Sequence, residues 1–369
     1  DILQKKAIMF DYNISGIQQV GIGVNDADKA FAWYGKHFGM DLPIFSDEAE
    51  AKLMIDYTGN EVHMRKAILA MNLQGGGGFE IWQFTSRKGQ PRTVETREGD
   101  LGVTHIHMRT YDAEKALEYF KKLDGISLSE LKVNEMNRKW FELKDPFGNA
   151  FKLIEDEYCF MKTGALTGGV MGVTIGVSNI EESRKIYQEG MQYDTLVATG
   201  EKGTFKNAWL KPSKNRASAF SQLLGPTQLE LVCDTAGGRE QIFKDRFWGD
   251  LGFIHVCFDV QRMHQLREFA KTLNHPFTVD SENSFDMGEA AGQFAYVEDN
   301  DKTLIELVET HKVPIMKKLG WYINVKNKKV QKPLLPSYVL VQLEDKDRPK
   351  VFDIRGAVRY LFWLGKPAE

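Results

Sequence analysis

Four stretches of the chain begin on a glycine and continue as apolar-rich nine-residue segments: GIQQVGIGV (16–24), GVTHIHMRT (102–110), GVMGVTIGV (169–177) and GFIHVCFDV (252–260). Each reads as a strand, and each is followed by an apolar pattern of helical period. Behind the first come Ala30, Phe31, Tyr34 and Phe38, with Asn25 or Asp26 as the cap; behind the second come Ala116, Leu117, Phe120 and Leu123. NIEESRKIYQEGM and VQRMHQLREFAKTL fill the same slot in the other two copies. Every copy closes on another strand, FEIWQ (79–83), AFKLI (150–154), QLELV (228–232) or LIELV (304–308), with room for two strands before it. The pattern predicts four strand–helix–strand–strand–strand units, an α+β fold. The steps from Gly16 to Gly169 and from Gly102 to Gly252 are nearly equal, which points to duplication of a two-unit block. One unit is too small to bury a generous core, so the units are expected to pair.

Strand alternation assigns the faces. Val20, Ile22 and Val24 are expected on the helix side of the first strand, leaving Ile17, Gln19, Gly21 and Gly23 opposite. In the fourth copy Ile254, Val256, Phe258 and Val260 take the helix side, and His255, Cys257 and Asp259 the other. In the closing strands Glu80, Glu230 and Glu306 each stand between apolar neighbours, on the face that the helix does not cover. A single such glutamate fits a half-solvated strand as well as a site. Its return in three of four copies, with Gln19, His105, Gly172 and His255 at the third position after the starting glycines, favours a site.

The Gly-led strands, the helix ending in HFGM (37–40), the turns DPFGN (145–149) and EDNDK (298–302) and the closing Glu strands together resemble the vicinal oxygen chelate superfamily. That superfamily includes glyoxalase I, extradiol dioxygenases, and fosfomycin and bleomycin resistance proteins. The resemblance covers residues 16–310. It implies four βαβββ units paired into two curved sheets, with domains at 16–156 and 166–312 between an N-terminal segment (1–15) and a tail (313–369). It also implies a divalent metal on the concave side, with ligands from the first and last strands of the paired units. Those positions are Gln19 and Glu80, His105 and Lys152, Gly172 and Glu230, and His255 and Glu306. If neighbouring units pair, one cup holds Gln19, Glu80 and His105 facing Lys152, and the other holds Glu230, His255 and Glu306. If unit one pairs with unit four, Gln19, Glu80, His255 and Glu306 share a cup, similar to the ligand set of animal glyoxalase I. His105, Lys152, Gly172 and Glu230 then form a second, degenerate site. The second pairing, with one complete site, is the simpler outcome.

The resemblance implies a metal-dependent lyase or isomerase acting on a small oxygenated substrate through a metal-stabilised enediolate. Zinc, nickel, manganese or iron(II) suits one imidazole, one amide and two carboxylates. Glu306 is then the catalytic base, with Glu80 its partner across the metal. Two departures from glyoxalase I argue against glutathione. Gly23 stands where an arginine holds the glutathione carboxylate, and Phe84 replaces a polar amide. A smaller or more apolar ligand is expected, with Trp82 and Phe84 lining the cup. Gly172 removes a histidine that extradiol and hydroxyphenylpyruvate-type dioxygenases need. The alternative is a non-catalytic ligand binder on the same scaffold. Lys152 reads either as a partner of Glu80 or Glu230 in place of metal charge or as a solvent-reaching side chain. His107 reads as a hydrogen-bonded cup residue, and the GGGG run (75–78) as a flexible hairpin.

Past His311 the chain turns basic, and residues 332–369 resemble part of the N-terminal domain of NusG-like antiterminators. A nucleic-acid or RNA polymerase partner, and a third reading as an antitermination factor, rest on that tail alone. The stretch reads as a fragment or an artefact rather than a full domain. Net charge is −3, which gives no bulk basic footprint for nucleic acid. No apolar run approaches a membrane span, and DILQKKAIMF lacks the core of a signal peptide and an initiator methionine. Three cysteines without paired spacing suit the reducing cytoplasm. The expected partner is a small molecule, bound by a monomer or homodimer.

Overall fold

The computed structural model describes residues 10–214, 220–282, 285–286, 291–316 and 321–324, with strand pieces at 362–363 and 366–367. Most of the tail, including nearly all of the NusG-like stretch, lies outside the described residues, as does most of segment 1–15. No described helix is long and apolar enough to cross a membrane.

The units follow the expected order. Unit one is β1 (Asn13–Gly23), α1 (Ala27–Phe38), β2 (Leu42–Glu50), β3 (Met64–Met71) and β4 (Gly78–Phe84). Unit two is β5 (Gly102–Thr110), α2 (Ala113–Phe120), the short β6 (Ser127–Leu128) and β7 (Lys132–Val133), β8 (Lys139–Lys144) and β9 (Ala150–Glu155). Unit three is β10 (Thr167–Gly176), α3 (Ile180–Lys185), β11 (Thr195–Lys202), β12 (Phe205–Lys211), α4 (Ser221–Leu224) and β13 (Gln228–Asp234). Unit four is β14 (Gly252–Gln261), α5 (Met263–Thr272), β15 (Val279–Asp280), β16 (Phe285–Asp286), β17 (Ala291–Glu298) and β18 (Leu304–Met316), with β19 (Trp321–Asn324) beside β18.

The helix starts show how the sequence fixes the unit. Asp26, Asp112 and Asn179 cap α1, α2 and α3 by accepting a backbone N–H three residues on. The closing strand reaches back to do the same. Gln83 accepts from Ala27 N, Glu155 from Ala113 N, and Glu309 from Arg262 N and Met263 N. α5 has no cap of its own, so Glu309 supplies it from β18.

Unit one pairs with unit four, and unit two with unit three. The first sheet runs β15-β17-β18-β14-β1-β4-β3-β2, and the second β11-β12-β13-β10-β5-β9-β8-β6. At each centre two opening strands lie antiparallel, flanked by their own closing strands in parallel. The ranges 16–156 and 166–312 are therefore halves of the sequence that each give one unit to each sheet. Within a half the two units meet on the helix side. Tyr34 of α1 donates to Asp145 of the unit-two turn at 2.6 Å, and Phe38 packs edge-on against Phe151. Tyr187 of unit three donates to Asp299 of the unit-four turn at 2.8 Å. One apolar core joins both sheets through these helices.

Three expectations are corrected. Ile17 packs in the helix-side core, because the β1–β14 register shifts between Ile17 and Gln19. Ile254 packs on the concave side with Trp82 and Trp248, because a second shift leaves it unmatched between Phe253 and His255. The GGGG run is not a flexible hairpin. Gly77 and Val170 exchange backbone hydrogen bonds at 2.8 Å, and a Cβ on Gly76 would lie 2.4 Å from the Gly169 carbonyl carbon. Glycine is required there by the close approach of two backbones.

Candidate metal centre

Four adjacent strands at the centre of the first sheet deliver the expected set. Gln19 comes from β1, Glu80 from β4, His255 from β14 and Glu306 from β18. Gly21 pairs with His255 on one side and Glu80 on the other. A Cβ on Gly21 would stand 2.5 Å from His255 Cε1, so the missing side chain makes room for the imidazole to lie across β1. Cys257 sits between Gln19 and Glu306 in the register and separates their backbones by one strand.

His255 Nε2 lies 3.0 Å from Glu306 and 3.4 Å from Glu80. One donor atom from each of the three residues falls within 4.8 Å of the others. Gln19 Nε2 donates to Glu306 Oε2 at 3.2 Å. Tyr296, directly opposite Glu306 in the β17–β18 pair, donates to Glu306 Oε1 at 3.1 Å and stands 3.4 Å from His255 Nδ1. Burial pulls the His255 imidazolium down, but Glu306 and Glu80 more than offset it and hold it at about 9. Burial raises Glu80 above the usual carboxylate range, and the neighbouring Glu306 raises it further. Burial works against ionised Glu306 too, but the imidazolium outweighs it and holds this carboxyl low.

Gln19 Oε1 is buried without a hydrogen-bond partner, and His255 Nε2 meets only the Glu306 and Glu80 carboxylates. Buried polar atoms are seldom left so, and a bound ion is one standard way of satisfying them. An amide oxygen, an imidazole nitrogen and two carboxylates fit a divalent cation of the zinc or first-row type. Among the described residues this is the one cluster of three or more acidic, histidine or cysteine side chains with such spacing.

The equivalent place in the second sheet is filled by a lysine. Lys152 Nζ meets Glu230 Oε2 at 2.6 Å, and Thr174 donates to the same oxygen at 2.5 Å. Asn207 donates to Glu230 Oε1 at 3.3 Å. His107, 2.8 Å from the Thr174 hydroxyl, completes the network, and burial pushes it down to about 4. Burial alone would raise Glu230, but Lys152 and His107 hold it well below the usual range. Lys152 thus takes the charge-balancing role, in contact with Glu230. His105 is the exception in the expected second set. It makes no hydrogen bond to Lys152 or Glu230; its ring faces Thr104 at 3.0 Å and Glu142 at 3.8 Å. A Cβ on Gly172 would lie 2.9 Å from His107 Nδ1, so His107 occupies the space that a fourth ligand would need.

Beside the first cluster opens a cavity of about 290 Å³, with walls that include Phe45, Met54, Trp82, Trp248, Phe294 and Tyr296. Trp82 lines it as expected. Phe84 does not; it packs against His63 and under the Arg87 guanidinium. Sequence reasoning missed Tyr296 and Trp248. Tyr296 was within reach of it, because counting back through the EDNDK turn sets it opposite Glu306. Trp248 lies in the connection before β14 and carries no periodic signal.

Both sheets have the vicinal oxygen chelate fold. Residues 16–153 match the family model "Glyoxalase/Bleomycin resistance protein/Dioxygenase superfamily". Glyoxalase I from Zea mays is similar in fold at 15% identity, with 83% of this chain and 95% of that chain covered and a TM-score of 0.51. A putative dioxygenase from Bacillus subtilis is similar at 14% identity, with 80% and 86% covered and a TM-score of 0.55. Comparison with curated protein sequences gives no match.

Proposed function

We propose that the chain is a metal-dependent lyase or isomerase of glyoxalase type, acting in the first sheet on a small substrate with two neighbouring oxygens. The observation that carries this reading is the buried, unpartnered Gln19 Oε1 beside the convergence of His255 Nε2 with two carboxylates. Gln19, Glu80, His255 and Glu306 would hold the cation. When bound, it supplies Lewis-acid polarisation of the substrate oxygens. Glu306, steadied at Oε1 by Tyr296, takes the carbon-bound proton, and Glu80 on the far side of His255 returns one. Apolar walls keep water from the reacting carbon.

The experiment is metal analysis of the purified protein and of a His255→Ala/Glu306→Gln variant. A divalent ion in stoichiometric amount, lost in the variant, supports this reading. A metal-free protein that holds a small molecule tightly supports the second reading, a non-catalytic binder, which the apolar cavity favours. The antitermination reading rests on the tail. Deleting 328–369 tests it, and unchanged soluble expression and activity of the truncated chain would make the tail dispensable.

A further inference from the structure

We infer that the cavity selects a compact substrate whose vicinal-oxygen head is joined to one aryl ring or branched alkyl body, rather than a peptide conjugate. The inference rests on the metal reading above for the head and on the cavity walls for the body.

Size comes first. A cavity of roughly 150 Å³ lined by apolar side chains holds one benzene molecule. The space beside Glu80 and Glu306, about 290 Å³, holds one ring and a short head. The walls are ring-shaped themselves: Trp82 and Trp248 meet edge to face at 4.2 Å, and Tyr296 meets Trp248 at 6.1 Å.

The polar groups at the mouth are already engaged with one another. Arg65 gives its guanidinium to Asp47 at 2.6 Å and lies over the Trp82 ring at 5.2 Å. Lys52 pairs with Glu50 at 2.9 Å, and Gln18 donates to Thr310 at 3.0 Å. A peptide conjugate carries more amides and carboxylates than the two unpartnered donors of the walls, Trp82 Nε1 and Trp248 Nε1, can satisfy, so it would have to displace these pairs or bury polar groups at a cost. An aryl body asks for neither. Leu53, at the mouth, is 47% exposed and offers an apolar surface that such a body would cover.

The test is titration of the zinc-loaded full chain with mandelate, lactate and reduced glutathione, read by tryptophan fluorescence and calorimetry. Burying a phenyl ring in place of a methyl group should tighten mandelate over lactate by about tenfold or more. Glutathione at the same concentrations should not displace mandelate. Leu53→Gln, a neutral change at an exposed position, should weaken mandelate about fivefold while leaving lactate and zinc affinity unchanged. Equal affinities for mandelate and lactate, or displacement by glutathione, overturn the inference. Benzyl alcohol titrated without zinc separates it from the metal reading. Fluorescence quenching by benzyl alcohol in a protein that takes up no zinc sustains the apolar-body inference and removes the metal reading. Zinc uptake without any binding of benzyl alcohol does the reverse.

Discussion

The Tyr296 hydroxyl donates to Glu306 Oε1 at 3.1 Å from the register position directly across the β17–β18 pair. That bond leaves Oε2 facing Gln19 and His255. Tyr296 therefore acts as a positioning residue for the carboxylate. Groups in this position tune metal affinity by about tenfold to a hundredfold. Tyr296→Phe should weaken zinc at least about tenfold in chelator competition while the unfolding midpoint moves little. Unchanged affinity would remove Tyr296 from the account.

Lys152 and Glu230 form a buried ion pair at 2.6 Å. Removing one partner strands the other charge, at a cost of about 3–5 kcal/mol. Lys152→Met should lower stability by about that much in denaturant unfolding. Lys152→Met/Glu230→Leu should recover most of the loss. A single variant as stable as the parent would show that Lys152 does not balance this charge.

Gly21→Ala places a methyl group where the His255 ring lies, 2.5 Å from Cε1. The imidazole must turn away from Glu80 and Glu306. Overpacking of this kind costs roughly 1–3 kcal/mol. The expected outcome is a folded protein, by circular dichroism, whose zinc uptake is lost. Full zinc uptake by the alanine variant would contradict the geometry.

Asp145 and Asp299 are the buried acceptors of Tyr34 and Tyr187, and burial raises each from 3.8 to about 6 despite their hydrogen bonds. Between those values the folded state keeps a proton that the unfolded chain has released. The two residues therefore add stability as pH falls through that window and withdraw it as pH rises. Carboxyl NMR titration should place both midpoints near 6. Tyr34→Phe, which removes a bond to the ionised form, should raise that of Asp145. Midpoints near 4 would contradict the assignment.

Much of this molecule was legible in its sequence because glycine-led strands, acidic helix caps and Glu-centred closing strands repeat. The pairing was not decidable from spacing, since both arrangements place a histidine beside two glutamates. What settles it is the antiparallel register of β1 with β14. Alternation failed at Ile17 and Ile254, where bulges shift the register and turn one residue to the other face. Position along the strand favours His105 over His107 as a ligand, and the structure does not follow it. His107 was legible as a hydrogen-bonded cup residue, but its partners were not, because Thr174 comes from β10 and Glu230 from β13, far along the chain.

The most direct measurement is zinc X-ray absorption on the loaded chain, because a thiol, Cys257, stands in register between Gln19 and Glu306. Convergence of Gln19, Glu80, His255 and Glu306 requires one zinc per chain with a nitrogen and oxygen shell at about 2.0–2.2 Å, one imidazole in it, and its loss in His255→Ala. A sulfur shell at about 2.3 Å, or the same spectrum in His255→Ala, would contradict it.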